Sequence, residues 1–261
     1  MDDYESFKKD VFNITTIDLN AYKEKQMKRR IDTLIMRHNI KGYKAFAEAL
    51  RTDKEILEEF VNYLTINVSE FYRNPDQWKI LRETCIPKLT DRFGKRIKIW
   101  SAACSTGDEP YSLTMVFREY MQPTDFSIYA TDIDKQVLAQ ADAGVYPKKS
   151  LIGLPKEFQD KYFTKITDTS YKVDPGLKKN IKFDKHNLLK DKYPTGLSLI
   201  VCRNVLIYFT EEAKDEIFKK FYDALAPGGI LFLGATEQMA NYKEVGFDRQ
   251  SSFFFEKPLK K

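Results

Sequence analysis

The chain of 261 residues contains only three cysteines and two histidines, and each of these low counts argues against a class of site. The cysteines Cys85, Cys104 and Cys202 are odd in number and far apart, so neither a disulfide framework nor a zinc site is expected. The histidines, His38 and His186, form no H-E-x-x-H pattern and lie near no obvious nucleophile. We therefore expect no metal site and no histidine-based triad.

Long apolar runs are also missing from the sequence. No run approaches the ~18 residues that a membrane-spanning helix needs. The first residues, 1–6, are acidic and polar, unlike the basic and then apolar start of a secretory signal. The net charge of +5 is too small to indicate a nucleic-acid partner by itself. We expect a cytoplasmic protein that neither inserts into a membrane nor binds nucleic acid.

The apolar pattern divides the chain into a helical first part and an α/β second part. Apolar residues recur at helical spacing through residues 1–75, which predicts an all-helical N-terminal domain. Residues 76–95 are interpreted as a linker helix. In residues 96–261 buried strands alternate with helices, which predicts an α/β sheet, interrupted at about 145–180 by a small inserted subdomain with a hairpin.

The second predicted helix carries a concentration of positive charge. Its basic residues are Lys23, Lys25, Lys28, Arg29, Arg30 and Arg37. On charge patterning alone, a solvated basic face is the favoured interpretation. The alternative is a docking surface for an acidic partner, with Lys23, Lys28, Arg29 and Arg30 as the contact residues.

A strand–turn–helix unit near the start of the α/β part is its most informative segment. Ile97 and Ile99 predict a buried strand, Ser101–Gly107 is a run of small residues, and a helix opens at Asp108. Such a turn lets a ligand approach the backbone closely. Its single glycine does not match the dinucleotide fingerprint, and acidic residues in the first helical turn favour a cationic ligand such as S-adenosylmethionine. An ordinary strand-to-helix turn remains the alternative.

Polar residues follow several other predicted strands. Asp132 ends the second strand, where an acidic side chain can accept hydrogen bonds from ribose hydroxyls. Asn187 and Asn204 follow the third and fourth strands. In open α/β sheets, ligands bind at the carboxyl ends of the strands. Asp132 is equally compatible with a helix N-cap, a role that Asp134 fits at least as well.

Five segments in the same order resemble the chemotaxis receptor methyltransferase (CheR) family of class I methyltransferases. They are Asn67–Arg73, Trp100–Ser112, Ala130–Asp134, His186–Leu189 and Cys202–Phe209. The resemblance covers nearly the whole chain and implies a Rossmann-like class I methyltransferase sheet. It also implies transfer of methyl from S-adenosylmethionine to glutamate side chains of chemoreceptors, with S-adenosylhomocysteine as the product.

The resemblance also implies roles for particular residues. The cofactor site would consist of Asn67, Ser69, Arg73, Glu109, Asp132, Asn187, Leu188, Asn204 and Val205. Glu109 would meet the cationic methionine end and Asp132 the ribose, while Arg73 and Tyr208 would be catalytic residues near the methyl group.

The implied partner is the cytoplasmic domain of membrane-bound chemoreceptors, to whose arrays a monomeric enzyme would be recruited. In some relatives the inserted subdomain binds a receptor peptide, but residues 145–180 show no chemistry for such a role here, and we prefer docking through the basic helix.

Three rival functions make different demands on the sequence. A non-catalytic S-adenosylmethionine-binding module would not need Arg73 and Tyr208, which are present. Many nucleic-acid methyltransferases carry an Asn/Asp-Pro-Pro-aromatic element after the fourth strand, where this chain has Arg203–Leu206. A nicotinamide oxidoreductase would need the glycine pattern that is missing.

Overall fold

The computed structural model describes residues 3–65 and 69–259 and contains two compact units. The first, here called the helical unit, comprises Met1–Asn67 with Tyr208–Glu216. The second, the sheet unit, comprises Val68–Ile207 with Ile217–Lys261. Each unit has its own core.

The helical unit is built from amphipathic helices that bury aromatic rings. Its helices are α1 (Asp3–Thr15), α2 (Glu24–Arg37), α3 (Gly42–Thr52) and α4 (Lys54–Thr65). Phe46 lies at the centre of the core, with its ring centroid 6.0 Å from that of Phe7 and 5.8 Å from that of Phe60. The helical periodicity of the sequence follows from this burial, because one side of each helix faces the core.

The sheet unit alternates strands and helices along the chain. Its helices are α5 (Pro75–Ile80), α6 (Ile86–Phe93), α7 (Asp108–Phe117), α8 (Lys135–Ala143), α9 (Lys156–Tyr162), α10 (Pro175–Lys178), α11 (Glu211–Ala224), which begins within the helical unit, and α12 (Tyr242–Val245). Its strands are β1 (Ile97–Ala102), β2 (Phe126–Asp132), β3 (Val145–Pro147), β4 (Phe163–Lys165), β5 (Ser170–Val173), β6 (Ile181–Lys185), β7 (Leu197–Cys202), β8 (Leu225–Leu233), β9 (Asp248–Arg249) and β10 (Phe254–Glu256).

Within the described part of the chain, seven strands form the main sheet in the order β6-β2-β1-β7-β8-β10-β9. The first five strands are parallel, and β10 pairs antiparallel with both β8 and β9. The predicted α/β fold class, with an all-helical N-terminal part, is confirmed. Near the start of β8 the register against β7 shifts between Leu197 and Leu199, Gly228 is left-handed (φ 80°), and Gly228 N donates to Lys257 O (2.7 Å).

The predicted linker helix packs into the sheet unit. Trp78, Leu81 and Leu89 are fully buried in the main core, and a π-helical stretch, Leu81–Cys85, joins α5 to α6. Trp100 on β1 is also fully buried, and its indole N–H donates to Thr131 Oγ1 (2.9 Å).

The inserted segment forms a small sheet of its own. Where the sequence indicated a hairpin, the structure has a three-stranded antiparallel sheet in the order β3-β5-β4. Tyr146 on β3 is buried, and its hydroxyl donates to the carbonyl of Thr106 (2.7 Å). The insert is therefore bonded directly to the loop that follows β1.

A helix cap in the helical unit gives a first prediction. Asp53 Oδ1 accepts from the N–H groups of Glu55 (2.9 Å) and Ile56 (3.1 Å) at the start of α4. We expect Asp53→Ala to lower the free energy of unfolding by about 1 kcal/mol, because two N–H groups lose their acceptor. Urea unfolding followed by circular dichroism measures this. Asp53→Asn keeps the acceptor and should stay close to wild type; equal losses in both variants would contradict the capping role.

Candidate functional site

The strand register brings the predicted polar residues to one edge of the main sheet. Ala102 pairs with Thr131, Asp132 pairs with Lys185, and Cys202 pairs with Leu233. The segments that follow these strands therefore begin side by side at their carboxyl ends. Ligands bind at this edge in open parallel sheets, so it is the candidate site.

The loop after β1 has an unusual backbone. Ala103 (φ 66°), Ser105 (φ 47°) and Gly107 (φ 88°) are all left-handed, and two of them have a Cβ atom. A Cβ at Gly107 would lie 2.8 Å from the Cβ of Ala141, so only glycine fits there. Left-handed residues with side chains cost energy and persist where surrounding contacts hold them. One such contact is the bond from Cys104 N to Thr131 O (2.8 Å).

Asp132 is joined to this loop by hydrogen bonds. Its carboxylate accepts from Ser105 N (2.8 Å) and from Asp134 N (3.1 Å). Asp134 is the N-cap of α8 and accepts from Gln136 N (2.8 Å), so the two aspartates have separate roles. Burial raises the pKa of the Asp132 carboxyl to about 6, against the lowering effect of these N–H donors. A carboxylate has four lone pairs, so ribose hydroxyls can add to the two bonds present.

Two further predicted residues lie in the segment after β6. Asn187 Oδ1 accepts from Leu189 N (2.9 Å), and the Leu188 carbonyl accepts from the hydroxyl of Tyr193 (2.7 Å). His186 N donates to the Asp132 carbonyl (2.9 Å), which ties this segment to the end of β2. The predicted residues Asp132, Asn187 and Leu188 are thus brought together at neighbouring strand ends.

Arg203, for which the sequence indicated no role, joins several chain segments at the edge. It is buried immediately after the fully buried strand β7. Nη2 donates to the Arg73 carbonyl (2.8 Å), Asn74 Oδ1 (3.1 Å) and Gln77 Oε1 (2.8 Å). The signal in the sequence is an arginine that ends an apolar run, because a buried cation must find acceptors or an anion.

Glu109 is the anion beside Arg203. Its Oε2 lies 3.6 Å from Arg203 Nη1, and its Oε1 accepts from the Ser101 hydroxyl (2.7 Å). Burial raises the pKa of Glu109, while the nearby guanidinium of Arg203 lowers it. The residue predicted to meet a cationic group is therefore already paired with a buried cation of the chain itself.

Arg73 lies between two left-handed residues, Tyr72 (φ 57°) and Asn74 (φ 60°). Its carbonyl accepts from Trp78 Nε1 (2.9 Å) as well as from Arg203, so its backbone is fixed in the sheet unit. Ser69 bonds to the Asp108 carboxylate at the start of α7. Asn67, the remaining predicted cofactor residue of this segment, lies outside the described residues.

The other predicted catalytic residue, Tyr208, belongs to the helical unit. Its carbonyl accepts from Lys23 N (2.9 Å) at the start of α2. In that helix Arg30 is half-buried: its guanidinium lies over the Tyr63 ring (4.3 Å) and donates to the Tyr63 carbonyl. Lys28 is half-buried over the Tyr4 ring (5.0 Å).

Lys23 and Arg29 are exposed, as is the neighbouring Lys25. Of the four predicted docking residues, two are therefore fully on the surface.

Among residues 3–65 and 69–259, no helix has both the length and the apolar character to cross a membrane. The same part of the chain contains no group of three or more histidine, cysteine or acidic side chains suited to a metal ion.

The Arg203 contacts give a second prediction. We expect Arg203→Met to lower the free energy of unfolding by about 3–5 kcal/mol, because removing one partner leaves Glu109 buried and uncompensated. Chemical denaturation measures this. The double variant Arg203→Met with Glu109→Gln removes the stranded charge and should recover part of the loss. A single variant as stable as wild type would show that the ion pair does not stabilise the edge.

Comparison with known proteins follows the same division of the chain. Residues 2–65 match the all-alpha domain of CheR methyltransferases, and residues 67–252 match the S-adenosylmethionine-binding domain of CheR methyltransferases. A chemotaxis protein methyltransferase of Listeria innocua is 39% identical over 97% of this chain and 96% of its own length. One of Borreliella burgdorferi is 33% identical over 91% of this chain and 88% of its own length.

These matches cover the segments that meet at the sheet edge, and they agree with the resemblance found in the sequence. The chain therefore belongs to the CheR methyltransferase family, whose members use S-adenosylmethionine to methylate chemoreceptor glutamates, and it is an S-adenosylmethionine-dependent methyltransferase of chemotaxis.

Proposed function

We propose that this chain transfers the methyl group of S-adenosylmethionine to glutamate side chains of bacterial chemoreceptors, forming glutamyl methyl esters during chemotactic adaptation. The observation that carries the proposal is the meeting, at one sheet edge, of the Asp132 carboxylate, the Arg203–Glu109 pair and the fixed backbone of Arg73. The first two suit the ribose and the amino-acid end of the cofactor. The third fixes the backbone from which the Arg73 side chain extends.

The residues fit the chemical character of the cofactor. Asp132 is the group for the ribose hydroxyls, and the loop 103–107 lies beside it, because Ser105 N donates to the Asp132 carboxylate. Glu109 and Arg203 suit the ammonium and carboxylate of the methionine end. The remaining proposed cofactor residues follow the ends of β6 and β7. They are Asn187, Leu188, Asn204 and Val205. The cofactor supplies an electrophilic methyl group on sulfur.

The substrate needs no general base. A glutamate side chain has a reference pKa near ~4.3, so at neutral pH it is already an anion able to attack. What the chain must supply is position, with the carboxylate oxygen about 3–3.5 Å from the methyl carbon and in line with the sulfur. Arg73 can hold one oxygen of the carboxylate while the other attacks. The attack cancels charge, so strong ion pairing would stabilise the reactants without accelerating transfer.

The partner in this proposal is the cytoplasmic domain of a chemoreceptor, which places the enzyme at receptor arrays in the cytoplasm. The docking surface is the exposed side of α2. Lys25, Arg29 and Met36 lie on one helical face by their spacing, and Met36 is 69% exposed. Lys23 adds a cation at the start of the helix. An exposed apolar side chain among cations suits an acidic helical partner.

The direct test combines purified protein, labelled S-adenosylmethionine and receptor-bearing membranes. We expect label on the receptor that leaves as methanol in mild alkali, because a carboxyl ester is hydrolysed there and an amide or amine methyl group is not. Membranes without receptors are the control. Binding of S-adenosylmethionine without any alkali-labile label would instead favour a non-catalytic module, and stable label would indicate another acceptor atom.

The pKa of Asp132 gives a pH prediction. Its carboxyl titrates at about 6, so it is ionised at pH 7.5 and mostly protonated at pH 5. If the ribose requires the ionised form, affinity for S-adenosylmethionine falls by about tenfold between these pH values. Calorimetry measures the dissociation constants. Asp132→Asn should bind weakly at both pH values; a pH dependence retained in that variant would assign the titration to another group.

Arg73 is expected to affect turnover more than binding. We predict that Arg73→Ala lowers kcat by roughly 100-fold through lost positioning, while the dissociation constant of S-adenosylmethionine stays measurable by calorimetry. Arg96→Ala is the control, since Arg96 is exposed at the opposite end of β1. Equal losses in the two variants would contradict a role for Arg73 in transfer. Tyr208 keeps its predicted catalytic role as a proposal.

The docking surface predicts a dependence on salt. Reversing two charges with Lys25→Glu and Arg29→Glu should raise the receptor KM roughly fivefold or more at low salt, with a smaller effect at high salt. Lys95→Glu with Arg96→Glu makes the same change of net charge at the start of β1 and should leave the KM near wild type. A similar rise of KM in both double variants would show that only the net charge matters, and would contradict a docking surface on α2.

A further inference from the structure

The loop after β7 is held by a single carboxylate that no prediction included. Glu237 lies a few residues beyond β8 and is 4% exposed. Its Oε2 accepts from Asn204 N (2.8 Å) and Gly234 N (2.8 Å), and its Oε1 accepts from Val205 N (2.8 Å) and Leu206 N (2.9 Å). Four backbone donors therefore converge on one side chain, three of them from consecutive residues.

Gly234 makes room for this arrangement. A Cβ added at Gly234 would lie 2.4 Å from Glu237 Oε2 and 3.0 Å from Asn204 N. Glycine is therefore required at position 234 because a side chain would clash with the Glu237 carboxylate and with the loop after β7.

The four bonds determine what the loop can offer a ligand. Asn204 is left-handed (φ 62°), and its N–H points to Glu237, as do those of the next two residues. Three consecutive N–H groups of a loop would otherwise form an anion site. Here they are already bonded, so only the side chain of Asn204 and the carbonyl groups of the loop are left as polar groups for a ligand.

Glu237 also acts on the cation that begins the loop. Burial lowers the pKa of Arg203, while the carboxylates of Glu109 and, next, Glu237 raise it. Because Arg203 in turn bonds to the Arg73 carbonyl, the carboxylate of Glu237 is linked through one residue to the segment proposed for transfer.

We propose that Glu237 is a positioning residue for S-adenosylmethionine: its carboxylate fixes Asn204, Val205 and Leu206 in the one conformation that presents Asn204 to the cofactor. The inference rests on the proposed function only in that the cofactor binds at this edge. Glu237 itself acts through the loop. Gly234 has no side chain, and this leaves room for the Glu237 carboxylate to reach the loop.

The test uses three variants of the full chain. Glu237→Gln places an amide N–H₂ group against backbone donors, and Gly234→Ala displaces the carboxylate while keeping its charge. Glu256→Gln is the matched control, a buried carboxylate on β10 whose partners are Arg92 (2.8 Å) and Lys88 (4.0 Å). Calorimetry gives the S-adenosylmethionine affinity, and hydrogen exchange gives the protection of amides 204–206.

We expect both site variants to raise the dissociation constant about tenfold or more, since charge-assisted hydrogen bonds are lost, and to speed exchange at residues 204–206. Glu256→Gln should lose thermal stability yet bind as wild type does. Steady-state kinetics should show a higher KM for S-adenosylmethionine with a smaller change in kcat.

Several results would overturn the inference. Fast exchange of amides 204–206 in the wild-type protein would show that the carboxylate does not hold the loop, whether or not the variants fold. Wild-type affinity in Glu237→Gln or Gly234→Ala would do the same, as would an equal loss of affinity in Glu256→Gln. A wild-type protein that binds no S-adenosylmethionine would instead defeat the proposed function, which separates the two failures.

Discussion

The buried guanidinium of Arg203 is the interaction on which the candidate site depends. A charge in the protein interior is stable only if acceptors and a countercharge surround it. Arg203 obtains these from α7 through Glu109 and from residues 73–77, about half the chain away in sequence, with Arg73 130 positions distant. Satisfying one cation therefore fixes three chain segments against each other. The same demand explains why burial of Glu109 is tolerated.

A second property of the edge is its concentration of left-handed residues. Ala103, Ser105 and Asn204 follow two adjacent strands, and Tyr72 and Asn74 flank Arg73. Each such residue costs of order 1–3 kcal/mol in isolation. Each segment is held by bonds to buried groups: Ser105 by Asp132, Asn204 by Glu237, and Asn74 by Arg203. The site is thus a set of strained turns stabilised by three buried charges, which favours a preformed rather than an induced cofactor site.

Sequence patterns within a few residues were enough to predict individual strands and helix caps. The strand ending at Asp132 and the helix cap at Asp134 follow from hydrophobic alternation and capping chemistry, and the structure has both. Arg203 and Glu237 could not be found in this way, because most of their hydrogen-bond partners are distant in sequence. Those of Arg203 lie 126 to 130 positions away, and three of the four of Glu237 lie 31 to 33 positions away.

Charge patterning in the sequence misled at one place for a related reason. The basic residues of α2 form one charged group in the sequence, whereas in the helix Arg30 packs on Tyr63 and Lys28 lies over Tyr4. Tertiary packing decides which of these cations are exposed to solvent, and charge patterning in the sequence does not reveal that packing.

The location of the indole rings has an experimental consequence. The chain has two tryptophans, Trp78 and Trp100, and both are fully buried in the core of the sheet unit. Intrinsic indole fluorescence therefore reports the loosening of that core alone. The helical unit has only tyrosine and phenylalanine, so its melting is invisible to the same signal. A difference between the fluorescence and helicity midpoints would measure how independently the two units unfold.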